Sequence, residues 1–165
     1  MTAALRLAAT PADVELARAL FVEYADWLGV DLCFQGFDQE LATLPGAYAP
    51  PAGRLLLAGE PGSAFGCIAL RPLEGCEDRG RDAVPEVGEV KRLYVQPAQR
   101  QGGWGHRLGA ALIGEARAIG YRELKLDTLE WMTAARALYA RLGFRECAPY
   151  YANPLPGVVY MACTL

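Results

Sequence analysis

The chain has 165 residues, 53% of them hydrophobic and 21% charged, with a formal net charge of -3. That length suits one domain, residues 1–165, able to bury roughly 70% of its unfolded surface without disulfides or a structural metal. Charges of both signs are spread without long runs and no apolar stretch reaches membrane-spanning length, which argues against nucleic acid or a membrane as partner. Met1 to Thr10 has none of the features of a secretory leader. The five cysteines (Cys33, Cys67, Cys76, Cys147 and Cys163) show neither zinc nor disulfide spacing. They read as small hydrophobes in a reducing, cytoplasmic compartment, with no metal.

In chain order, Leu5 and Leu7 mark a short strand. Thr10-Pro11 opens a helix with Thr10 as cap; Val14, Ala17, Leu20, Phe21, Tyr24 and Leu28 form its buried stripe, and Gly29 ends it. A shorter helix is expected over Phe37 to Leu44, followed by a breaker-rich loop from Pro45 to Gly53. Arg54 to Ala58 and Ser63 to Arg71 read as strands joined by the turn Glu60-Pro61-Gly62. Residues 72–85 lack periodicity and read as an exposed, mobile loop. A strand over Val87 to Val95 leads through Pro97 to Gly105 into a helix carrying Leu108, Leu112, Ala116 and Ile119, closed by Gly120. The remaining elements are a strand (Leu124 to Thr128), a helix (Thr133 to Leu142) closed by Gly143, and strands at Phe144 to Cys147 and Val158 to Thr164. This order predicts an α/β (α+β) domain: a mixed, mostly antiparallel sheet of about six to seven strands with helices on both faces.

The informative segment is Arg100-Gln101-Gly102-Gly103-Trp104-Gly105-His106, between a strand and an amphipathic helix. Clustered glycines let backbone N–H groups converge on one point, and the helix adds its unpaired first-turn amides and positive dipole end. Such a loop can hold a pyrophosphate, with Arg100 adding a charge-assisted hydrogen bond. Neither the Walker pattern nor the dinucleotide fingerprint is present. A glycine turn without ligand is the alternative for the loop by itself.

Arg100, Gly103 and Gly105 match the central motif of the GNAT superfamily of N-acetyltransferases, an Arg or Gln, two residues, Gly, one residue, then Gly or Ala. Leu138, Tyr139, Gly143 and Phe144 match a second family motif, Leu-Tyr, three residues, Gly-Phe. The chain thus resembles this family over nearly its whole length in element order. The resemblance implies acetyl-CoA as co-substrate and a small-molecule or peptide amine as acceptor, with direct transfer in a ternary complex. It implies that the amides from Gln101 to His106, through Gly102, Gly103, Trp104 and Gly105, hold the phosphates. The pantetheine arm would pair with Leu93, Tyr94 and Val95, in a gap between two splayed strands. Met132, Ala135 and Tyr139 complete the implied cofactor set. Met132 stands where relatives often carry Asn, and Gln101 where they often carry Gly.

By the same resemblance Tyr139 is the general acid that protonates the departing thiolate. An ordinary thiol near ~8.5 and phenol near ~10 make that transfer inexpensive. A packed tyrosine with its hydroxyl merely satisfied is the other reading. An alkyl amine is neutral in roughly one molecule in two thousand at pH 7, so losing its proton costs about 4–5 kcal/mol. Glu89 is the expected base, directly or through water; pairing with Lys91 or Arg92 is its alternative. The acceptor pocket is expected at Tyr24, Trp27, Asp31, Phe34 and Gln35, with Pro149, Tyr150, Tyr151 and Asn153 opposite. Tyr24 and Trp27 also fit a plain core stripe, and Tyr150-Tyr151 an interface. His106, the lone histidine, reads as a cap or phosphate neighbour. The competing class of function is an acetyl-CoA-binding regulatory module without turnover. A homodimer is left open.

Overall fold

The computed structural model describes residues 3–73 and 85–165; Cys76 and most of the expected loop at 72–85 lie outside them. In chain order the elements are β1 (Ala4–Leu7), α1 (Pro11–Leu28), α2 (Phe37–Thr43), β2 (Arg54–Gly59), β3 (Gly66–Pro72) and β4 (Val87–Val95). They continue with α3 (Trp104–Ile119), β5 (Glu123–Leu129), α4 (Thr133–Arg141), β6 (Arg145–Glu146) and β7 (Val158–Thr164). Short 3-10 turns occupy Cys33–Gln35, Gly46–Tyr48 and Pro97–Gly102.

Local chemistry explains the element ends. At α1 the Thr10 hydroxyl accepts from the Asp13 amide at 3.1 Å while the Asp13 carboxylate accepts from the Thr10 amide at 3.3 Å. This reciprocal cap contributes about 1 kcal/mol. The strand expected from Ser63 begins only at Gly66. The Ser63 amide closes the turn on the Glu60 carbonyl at 3.0 Å, and Phe65 reaches Ala58 before the ladder starts. The expected strand Phe144 to Cys147 shortens to Arg145–Glu146.

Among the described residues the strands form one seven-stranded sheet, ordered β1-β2-β3-β4-β5-β7-β6. Only β4 and β5 are parallel neighbours in it. The apolar run of β2 is buried on both sides. Leu55 and Leu57 pack with Ala17, Leu20 and Phe21 of α1, whereas Leu56 and Ala58 pack with Leu108, Leu112 and Ala116 of α3. Alternation along each strand therefore sends one set of side chains to each helical layer. Helices cover both faces, as the sequence predicts. Among the described residues no helix is long and apolar enough to cross a membrane.

Candidate active site

The parallel pair β4–β5 holds only at Val87–Glu89 against Glu123–Lys125. Beyond it the strands separate. A bulge in β4 accompanies the change: Cys67 faces Tyr94 and Ala69 faces Lys91, so Arg92 and Leu93 share the place of one residue. Arg92 takes a positive φ of 59°, and its guanidinium is buried against Glu40, Nε to Oε2 at 2.8 Å, and over the Phe37 ring at 5.0 Å. Bulges bend a strand and re-aim its side chains. The gap between the strands is a cleft of about 430 Å³ running from the start of α3 to Asp127.

At one end lie Gly103, Gly105 and His106, with Arg100 and Arg141. Gly103 caps α3 at φ 70°, a conformation that suits glycine, and the first-turn amides of α3 have no intrahelical acceptor. Such free amides at a helix start are the groups that a main-chain anion site requires. The Arg100 Nε donates to the Val95 carbonyl at 2.9 Å, and its guanidinium lies over Trp27 at 4.6 Å and Tyr94 at 5.7 Å.

At the other end Asp127 is the one carboxylate lining the cleft among the described residues. Its Oδ2 accepts from the Tyr151 hydroxyl at 2.5 Å and the Asn153 amide at 2.8 Å. Its Oδ1 faces the Lys91 Nζ at 3.5 Å. Burial raises the Asp127 carboxyl, but the charge of Lys91 and those hydrogen bonds outweigh it and hold it below the ordinary value. Burial pushes Lys91 down, against the pull of Asp127 and Glu89. Tyr139 lines the same space, its ring edge-on to Phe144 at 5.8 Å. Burial, then Tyr24 and Asp127, push its phenol up; Tyr24 itself is raised to about 12, chiefly by burial.

Three comparisons bear on this geometry. The family model for the acetyltransferase (GNAT) family matches residues 18–144. An uncharacterized N-acetyltransferase of Schizosaccharomyces pombe is 40% identical over 156 residues, covering 92% of this chain and 88% of the relative. A GNAT-family acetyltransferase structure from Staphylococcus aureus superposes with a TM-score of 0.76 at 16% identity, covering 99% of both chains. A Salmonella typhimurium chain solved with its cofactor acetyl-CoA gives 0.69 at 22% identity, covering 99% of this chain and 94% of that one. The chain belongs to the GNAT acetyltransferase family. It is an acetyl-CoA-dependent N-acetyltransferase with the family's open, splayed sheet.

In this acetyltransferase the cleft gathers Leu93, Tyr94, Val95, Arg100, Gly103, Gly105, His106, Met132, Ala135 and Tyr139, all expected on the cofactor side. Gln101, Gly102 and the Trp104 side chain stand outside it. Trp104 turns away to pack on Phe65 at 5.0 Å and under Arg107 at 3.8 Å, because it faces the core side of α3. The Val95 carbonyl receives the Arg100 Nε, which leaves one of its two lone pairs for a further donor. Met132 uses its sulfur to accept from the Thr128 hydroxyl at 3.6 Å.

On the acceptor side Tyr24, Trp27, Gln35 and Asn153 line the cleft. Trp27 is 39% exposed, so it is not the core residue its helical spacing also allowed. Phe34 is exposed outside the cleft, and Asp31 caps a local turn at the Cys33 amide. Tyr150 and Tyr151 do not line the cleft; their hydroxyls donate to Glu89 and to Asp127 respectively. Glu89 does not line the cleft. It is 3% exposed, with Oε1 held by Arg71 at 2.8 Å and Oε2 by the Tyr150 hydroxyl at 2.7 Å, and with Lys91 3.9 Å away. Its partners are thus Arg71 and Lys91; the bulge carries Arg92 to Glu40 instead. Sequence reasoning missed Asp127, Trp131 and Arg141. Arg141 sits inside the second motif and was read as a spacer. Asp127 follows apolar Leu126 on a strand, an alternation that marks it as facing the opposite side of the sheet.

Proposed function

We propose that acetyl transfer occurs directly, in a ternary complex, with acetyl-CoA lying in the β4–β5 splay and the amine entering from the α1 side. The observation that carries this reading is the continuity of the cleft, from the α3 amides at one end to Tyr139 and Asp127 at the other. The first-turn amides of α3, with Arg141 nearby, bind the pyrophosphate. The neutral amine attacks the thioester carbonyl; the N–C bond forms as the C–S bond breaks. Tyr139 gives its phenolic proton to the thiolate, the amine's proton passes to water in the solvent-open cleft, and that water returns a proton to Tyr139. Because burial raises the Tyr139 phenol, it is fully protonated at neutral pH but a weaker acid than an exposed tyrosine. Glu89 acts here as a positioning residue: it holds Lys91 and Tyr150 rather than touching the amine. A cytoplasmic setting belongs to the same reading, in keeping with the free thiols Cys33, Cys67, Cys147 and Cys163.

Calorimetric titration of acetyl-CoA, with CoA release followed across a set of primary amines, tests it. Tyr139→Phe is expected to leave the acetyl-CoA dissociation constant unchanged and lower kcat by about 100-fold. Absence of saturable binding would overturn the cofactor site. Binding without transfer to any amine would favour the regulatory module.

A further inference from the structure

Building on that acetyltransferase reading, we propose that the acceptor is an arylalkylamine: a primary amine captured as its ammonium at Asp127, which sheds one proton to cleft water before it attacks, on a short arm from a flat apolar ring that lies against Trp27 and Trp131. Asp127 is built for such a role. Its Oδ2 is fixed by Tyr151 and Asn153, but its Oδ1 meets Lys91 only at 3.5 Å. A full ammonium–carboxylate hydrogen bond is nearer ~2.8 Å, so this oxygen has acceptor capacity left for a second ammonium. Asp127 lines the same cleft as Tyr24 and Tyr139, the proposed acid.

The cleft mouth supplies the ring site. Trp27 comes from α1 and Trp131 from the β5–α4 connection, on opposite sides of the splay. Their rings are 5.7 Å apart, and they are 39% and 54% exposed. Large exposed aromatics in the wall of a cleft are a surface for a flat apolar ligand. Trp131 follows Asp127 by four residues, a span of at most about 14 Å, within reach of one small arylalkylamine and the intervening side chains.

The same geometry disfavours an α-amino acid. Lys91, the cation beside Asp127, is already shared between Asp127 and Glu89. Asp127 would also repel a carboxylate placed beside the reacting amine.

The test compares 2-phenylethylamine, propylamine and phenylalanine as acceptors, with acetyl-CoA affinity measured on every variant. Ring burial predicts kcat/KM for 2-phenylethylamine roughly 10-fold or more above propylamine, with phenylalanine below both. Trp131→Ala is expected to erase the ring preference, and Asp127→Asn to raise the amine KM by roughly 10-fold or more, with acetyl-CoA affinity retained as the check on folding. Equal use of the two amines, preference for phenylalanine, or an unchanged amine KM in Asp127→Asn would overturn the proposal. So would a Trp131→Ala effect confined to acetyl-CoA affinity, which would give the aromatic pair to the cofactor. Acetyl-CoA binding with transfer to other amines alone, or to none of the three, sinks this proposal and leaves the cofactor site standing; loss of acetyl-CoA binding itself removes both.

Discussion

At the α3 end of the cleft the proposed binding groups are the main-chain amides of the first turn of α3, next to Gly103 and Gly105. At the Asp127 end they are side chains drawn from α1, β4, β5 and the segment before β7, joined by hydrogen bonds that cross long stretches of sequence, such as Gln35 to Tyr151 at 3.1 Å and Tyr150 to Glu89 at 2.7 Å. The first end depends on local backbone conformation and tolerates varied side chains. The second depends on register: a shift of one residue in β5 would turn Asp127 to the α3 face and Leu126 into its place. An enzyme built this way can keep one cofactor site while its acceptor site changes by side-chain substitution.

Three outcomes sharpen the contrast. The largest effect is expected from Gly103→Val. Open space surrounds a Cβ there, so the obstacle is the φ of 70° rather than a clash. A left-handed β-branched residue costs about 1–2 kcal/mol, and relaxation moves the α3 amides. We expect acetyl-CoA affinity to fall on the order of 100-fold. An unchanged dissociation constant would move the phosphate site elsewhere.

A smaller effect is expected from Tyr151→Phe, which removes the 2.5 Å hydrogen bond to Asp127. At about 1 kcal/mol the amine KM should rise roughly five-fold, with acetyl-CoA affinity untouched. A change in cofactor affinity would show that the two ends are coupled. The smallest effect is the absence of a descending limb in the pH profile. Tyr139, the proposed acid, acts in its protonated form, and its phenol is raised above the ordinary value of 10.0. The competent form therefore persists as pH rises through 10, and kcat/KM should climb with the neutral fraction of the amine without falling. A fall beginning near pH ~8.5 would identify a more acidic group as the proton donor.

The sequence alone carried most of the fold. Leu108, Leu112 and Ala116 at helical spacing, Thr10-Pro11 at a helix start and the glycines at 103 and 105 are each read within a few residues. The elements they define are those observed. It also placed Gly103 and Gly105 at the start of a helix, the main-chain geometry on which the proposed cofactor end rests. Glu89 shows what remained out of reach. On the strand it is an acidic residue near two basic ones; only the packed sheet joins it to Arg71 and Tyr150 and closes it off from the cleft. Asp127, Trp27 and Trp131 come to line one cleft only where β4 bulges and parts from β5. That choice rests on pairing register and on contacts between distant segments, which no local pattern encodes.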